Sequence, residues 1–213
     1  MSLSERLAAM LAQNPLLPVI SIDDSAAAVP LAEALVAGGV TALEVTLRTA
    51  AAADAVRRIV REVPQAIVGV GTIRSGDEVR RAADLGAKFG VTPGTTHQIY
   101  AACAAANLPL LPGVATASEI LTALEHGFDI VKFFPAVPAG GIAAIKALRG
   151  PLPMVRFCPT GGITEASFPE WLRVPGVVAV GGSWLASEDK IKAGDWTGIR
   201  EIARRSMAAV PKR

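Results

Sequence analysis

Short runs of β-branched and other apolar residues alternate along this chain with alanine-rich segments whose apolar residues recur every three or four positions. The runs are LPVISI (17–22), ALEVTLR (42–48), AIVGVGT (66–72), KFGVTP (88–93), LPLLPG (108–113), DIVKFFP (129–135), MVRFCPT (154–160) and VVAVGGS (177–183). Their length and composition suit strands buried on both faces. Helix-like stretches lie between them, at 26–39, 51–63, 76–86, 97–108, 117–127 and 141–150, and 194–209 has the pattern of a final helix. Several close on glycine or asparagine, as helix C-termini often do. Strand–helix alternation predicts parallel strands joined by helical crossovers. Eight such units predict an α/β fold of the (β/α)8 barrel type, in one domain spanning 1–213 with a short N-terminal helix. The length of 213 residues is close to the lower limit of ~200 for that fold. An open, doubly wound sheet is the rival architecture.

In a barrel, side chains along a strand alternate between the interior and the helical layer, and functional groups collect at the C-terminal ends of the strands. In the second run, Leu43, Val45 and Leu47 form the face for the helices, while Glu44, Thr46 and Arg48 point inward. An acid and a base aimed into a barrel interior are costly unless they are paired or functional. Lys132 is the only lysine centred in a strand-like run. Ile130 and Phe134 share its face, and Val131 and Phe133 pack outward. A buried lysine loses the hydration that favours its ammonium form, and a free amine can attack a carbonyl to form a Schiff base. The plain alternative is a lysine neutralised by Glu44, with no chemistry. Arg156 shares parity with Cys158 and Thr160, which predicts an inward side chain able to pair with Glu44.

The strand ends suggest what is bound. VGVGTI places Gly69, Gly71 and Thr72 at the mouth of the third strand. CPTGGI puts Thr160, Gly161 and Gly162 after the seventh, and VGGSWL puts Gly181, Gly182 and Ser183 after the eighth. Glycine-rich loops after strands seven and eight are the recurrent phosphate site of this fold, where bare backbone N–H groups cradle the dianion. Either glycine pair alone also suits an ordinary tight turn.

Composition narrows the function classes. Hydrophobic residues make up 51% of the chain, and the net charge of +2 comes from interspersed charges of both signs, without the Lys/Arg stripe of a nucleic-acid binder. No apolar run approaches the ~20 residues of a spanning helix, so no membrane partner is expected. The opening stretch MSLSERLAAMLAQNP carries Glu5 and Arg6 ahead of a short helical pattern, unlike a secretory signal, which predicts a cytoplasmic setting. Cys103 and Cys158 fit no zinc or redox spacing, and His97 and His126 are too few for a three-histidine metal site. No metal and no cofactor are expected.

EVTLRT (44–49), VGVGTI (68–73), VTPG (91–94), LPGVAT (111–116), KFFPA (132–136), RFCPTGGI (156–163) and GGSW (181–184) together resemble the bacterial 2-keto-3-deoxy-6-phosphogluconate (KDPG) aldolase family. The resemblance covers nearly the full length, with the motifs in order. It implies a metal-free class I aldolase of the Entner–Doudoroff pathway, a barrel fold, a homotrimer, and a phosphorylated keto-acid substrate cleaved to pyruvate and glyceraldehyde 3-phosphate. It places the Schiff-base lysine on Lys132 and the proton-transferring glutamate on Glu44. It puts the pyruvate carboxylate on Arg48 and Thr72, and the phosphate on Gly161, Gly162 and Ser183. Thr160, Arg156, Pro93 and Phe134 are expected to surround these groups. Within the family, 4-hydroxy-2-oxoglutarate and the galactonate epimer are the alternative substrates. A phosphosugar isomerase or synthase barrel would explain the phosphate loops but not an activated Lys132. A non-catalytic ligand-binding barrel would have no need of Glu44.

Overall fold

The first strand pairs with the last, and this closes the sheet. The computed structural model describes residues 1–212. Its strands are β1 (Leu16–Ile20), β2 (Ala42–Thr46), β3 (Ile67–Gly71), β4 (Phe89–Val91), β5 in two pieces (Leu110–Leu111 and Gly113–Val114), β6 (Ile130–Phe133), β7 (Arg156–Phe157) and β8 (Val180–Gly182). Neighbours pair in parallel in chain order, β1 meets β8 with Leu16 opposite Val180, and the bridges Phe157–Val177 and Thr160–Gly181 join β7 to the segment of β8. An open doubly wound sheet would leave two free edges, so the fold is the (β/α)8 barrel.

Pro112 interrupts β5 because it has no N–H to give a ladder. Its carbonyl still accepts the Lys132 N–H at 2.8 Å. On the other side of β5, side chains take over from the ladder. The Gly113 N–H donates to Thr92 Oγ1 at 2.8 Å, and the Thr92 and Thr95 hydroxyls lie 2.7 Å apart.

The helices are α1 (Leu3–Gln13), α2 (Ala28–Ala37), α3 (Ala52–Glu62), α4 (Gly76–Asp84), α5 (His97–Ala105), α6 (Ala117–Glu125), α7 (Gly141–Arg149), α8 (Phe168–Leu172), α9 (Glu188–Lys192) and α10 (Trp196–Ala208). In α3, Ala52, Ala55, Val56 and Ile59 are buried at helical spacing, while Asp54, Arg57 and Arg61 face water. The matching strand face is Leu43, Val45, Val68, Val70, Val131 and Phe133, packed in the outer core under the helices. Inside the ring lies a second, smaller core. Start-of-strand residues Leu17, Ala42, Phe89, Ile130 and Ala179 meet Leu7 and Leu11 of α1 there. The N-terminal helix, begun by a Ser2–Glu5 capping box, therefore plugs the N-terminal end of the barrel. The opposite end stays open for a site. No helix among the described residues is long and apolar enough to cross a membrane.

Candidate active site

β2 and β6 aim Glu44 and Lys132 into the barrel, as their alternation requires, and the two side chains meet. Lys132 Nζ donates to Glu44 Oε1 at 3.1 Å and to Oε2 at 3.3 Å. Glu44 is 1% exposed and Lys132 5% exposed. The slot for the carboxylate exists because β3 carries Gly71, where a Cβ would stand 2.3 Å from Glu44 Oε1. The Phe134 ring centroid lies 5.5 Å from Nζ, within reach of a cation–π contact. Burial pushes the nearby Cys158 thiol up to about 12, so it stands as a neutral wall. Of the two alternatives the sequence leaves open for Lys132, an isolated amine and a partner of Glu44, the geometry is that of the second. Taking one charge out of water is prohibitively costly, and the fold offsets that cost by placing the opposite charge in contact with it.

Next to this pair opens a cavity of about 260 Å³, whose lining includes Thr46, Arg48, Phe134, Thr160, Gly161 and Ser183. Thr46 and Phe134 lie two residues beyond Glu44 and Lys132, on the same strand faces. Arg48 Nε donates to Thr72 Oγ1 at 3.0 Å. That is its one hydrogen bond among the described residues, so both Nη groups are left for a ligand. Thr72 has φ 62°. A β-branched residue in the left-handed region is a genuine outlier costing ~1–3 kcal/mol, and such strain gathers at functional sites. Gly161 and Gly162, at φ 105° and 80°, turn the chain where L side chains rarely follow. Thr160 also lines the cavity, with its hydroxyl buried beside the Cys158 thiol.

Two expected residues lie elsewhere. Arg156 does not pair with Glu44. It begins β7 opposite Ile130, at the closed end of the barrel, where its Nη2 binds Asp129 Oδ2 at 2.7 Å. Its distance from the mouth, not its parity, separates it from Glu44. Burial alone would push the Asp129 carboxyl up, but hydrogen bonds from Ser4 and Arg156 outweigh this and hold it below the usual carboxylate range. Pro93 is exposed in the turn after β4, outside the cavity lining. Its backbone packs against Gly113, where a Cβ would come within 2.5 Å of it. Sequence reasoning missed Ser21, Ile163 and Glu188, which also line the cavity. Ser21 was signalled by its place at the end of the first apolar run; Glu188 carries no motif. No group of three or more His, Cys, Asp and Glu able to hold a metal occurs among the described residues.

Carbon–carbon cleavage through an imine needs an amine, an acid–base group beside it and anchors for both ends of the substrate. Fold and site together define the class I aldolases. The model of the family "Aldolase: KDPG and KHG aldolase" matches residues 7–202, and the chain belongs to that family. A 2-dehydro-3-deoxy-phosphogluconate aldolase of Pseudoalteromonas atlantica is 45% identical over 196 residues, covering 92% of this chain and 91% of that one. A KHG/KDPG aldolase of Escherichia coli is 44% identical over 198 residues, 93% of each chain. Among solved structures, a KDPG aldolase from Legionella pneumophila, with pyruvate captured as a covalent carbinolamine intermediate, superposes with a TM-score of 0.91. It is 42% identical, over 93% of this chain and 97% of that one.

Proposed function

We infer that this protein is a class I aldolase that cleaves KDPG to pyruvate and glyceraldehyde 3-phosphate, a step of the Entner–Doudoroff pathway. The observation that carries the reading is the buried contact of 3.1 Å between Lys132 Nζ and Glu44 Oε1 beside a cavity bearing Arg48. In this reading the Arg48 guanidinium makes charge-assisted hydrogen bonds to the substrate carboxylate, and the Thr72 hydroxyl helps to orient it. A proton passes from Lys132 to Glu44, leaving a free amine and a neutral acid. The amine attacks the C2 carbonyl, and Glu44 returns the proton to the departing hydroxyl, so that water leaves and an iminium remains. Glu44, again a carboxylate, takes the proton from the C4 hydroxyl. The C3–C4 bond breaks, its electrons move into the iminium, and the aldehyde departs. Glu44 then protonates the enamine at C3, and hydrolysis frees pyruvate. The pyruvate carbinolamine in the Legionella structure supports the covalent step. Incubation with pyruvate and borohydride tests it. The peptide containing Lys132 is expected to carry a reduced pyruvyl group, and a label elsewhere, or none, refutes the mechanism.

Gly161, Gly162 and Ser183 hold the phosphate in this reading. Ser183→Ala is expected to raise KM for KDPG roughly ten- to a hundredfold, because one hydrogen bond to a charged group is worth ~1.5–3 kcal/mol. Cleavage of 4-hydroxy-2-oxoglutarate, which has no phosphate, should be indifferent to the change. Equal effects on both substrates would move the phosphate elsewhere. That second substrate is favoured as a side activity by the double name of the Escherichia coli relative, and turnover on both substrates measured side by side ranks them. Exhaustive chelation is expected to leave turnover intact, since the iminium serves as the electron sink. Activity lost on chelation and restored by a divalent metal would contradict the class I reading. The reading includes a homotrimer in the cytoplasm, for which light scattering should return three times the chain mass.

A further inference from the structure

Both histidines of the chain meet ring to ring. His97 opens α5 and His126 follows α6, and His97 Nδ1 lies 2.8 Å from His126 Nε2. Both residues are exposed. Neither forms a salt bridge among the described residues, and neither lines the cavity beside Lys132. The His126 ring stacks on Tyr100, with centroids 4.4 Å apart and planes 11° from parallel. Tyr100 is buried, and its ring also meets that of Phe128.

We propose that His97 and His126 form a two-nitrogen site for a divalent transition-metal ion of tetragonal preference, Cu²⁺ above all. An imidazole–imidazole hydrogen bond uses one lone pair and one N–H. With the donor ring in its other tautomer, the same two nitrogens offer two lone pairs, and the displaced proton stays on the far nitrogen of its own ring. Two metal–nitrogen bonds of ~2.0 Å at a right angle set their nitrogens ~2.8–3.0 Å apart, which is the separation already present; a tetrahedral ion requires ~3.3 Å. Each ring has only to turn so that its lone pair meets the other's at a shared apex, and exposure leaves room for that turn. Water completes the coordination. The order of divalent affinities also favours Cu²⁺. The two thiols do not compete, because Cys103 and Cys158 are both buried.

The full chain titrated with Cu²⁺ at neutral pH, followed by electron paramagnetic resonance, tests the proposal. The expected result is one Cu²⁺ per chain with hyperfine coupling to two equatorial imidazole nitrogens. His97→Ala and His126→Ala should each abolish that signal while leaving the circular dichroism and the aldol activity unchanged. Coupling to a single imidazole, the same stoichiometry in either variant, or no copper bound beyond what the two variants retain would overturn it.

Discussion

Replacing Lys132 with methionine is expected to abolish turnover and borohydride trapping and, in addition, to destabilise the fold by ~3–5 kcal/mol. The first effect follows from loss of the amine. The second separates two physical accounts of the same lysine. Methionine has similar length, carries no charge and adapts to irregular cores. Were Lys132 an isolated desolvated amine, the substitution would leave stability unchanged or raise it. The structure instead places both Glu44 carboxylate oxygens within 3.3 Å of Nζ, in a slot only 1% exposed. Removing the ammonium strands that carboxylate, whose hydrogen bonds among the described residues come from Lys132 alone. Denaturant melts at neutral pH measure the loss. Lys132→Met combined with Glu44→Gln should recover most of it, because no buried charge is then left unpaired. Wild-type stability in the single variant would show that the contact carries no net charge.

Glu44→Gln is expected to slow deuterium exchange into the methyl group of pyruvate by ~10²–10⁴, the usual worth of general acid–base help. Trapping on Lys132 should continue, because the amine is still present. Glutamine fits the slot beside Gly71, where nothing larger than a hydrogen on that Cα is tolerated. The substitution therefore removes proton transfer with little change of shape. Exchange at the wild-type rate would take Glu44 out of the mechanism. Loss of trapping would mean that Glu44 is needed to free the amine as well as to move protons afterwards.

Much of this was legible without coordinates, for a local reason. Strand alternation is a property of consecutive residues, so the inward set of Glu44 and Thr46 and the outward set of Val131 and Phe133 follow from the sequence alone. Apolar runs separated by helical periodicity are likewise local, and they marked all eight strands. The runs exceed the observed strands, by five residues at MVRFCPT, where only Arg156–Phe157 makes a ladder. Apolar packing continues into turns after hydrogen-bonded pairing has stopped. Gly161 and Gly162 after β7, and Gly182 at the end of β8, were visible as motifs and do line the cavity.

Distance along the barrel was not legible. Arg156 has the parity foreseen for it, yet it sits at the closed end with Asp129, because the height of a residue depends on the stagger between strands, which no single strand encodes. Thr72 reads as an ordinary end-of-strand residue, and its left-handed backbone and bond to Arg48 emerge only where β2 and β3 end side by side. Residues 88 positions apart, Glu44 and Lys132, become an ion pair only once the ring closes. His97 and His126 meet in the same way, across two helices. By itself, then, the sequence determined the number and kind of elements, the face each side chain takes and the motifs at the strand ends. The tertiary structure alone decided which charges meet, because an ion pair depends on separations in space that local periodicity does not specify.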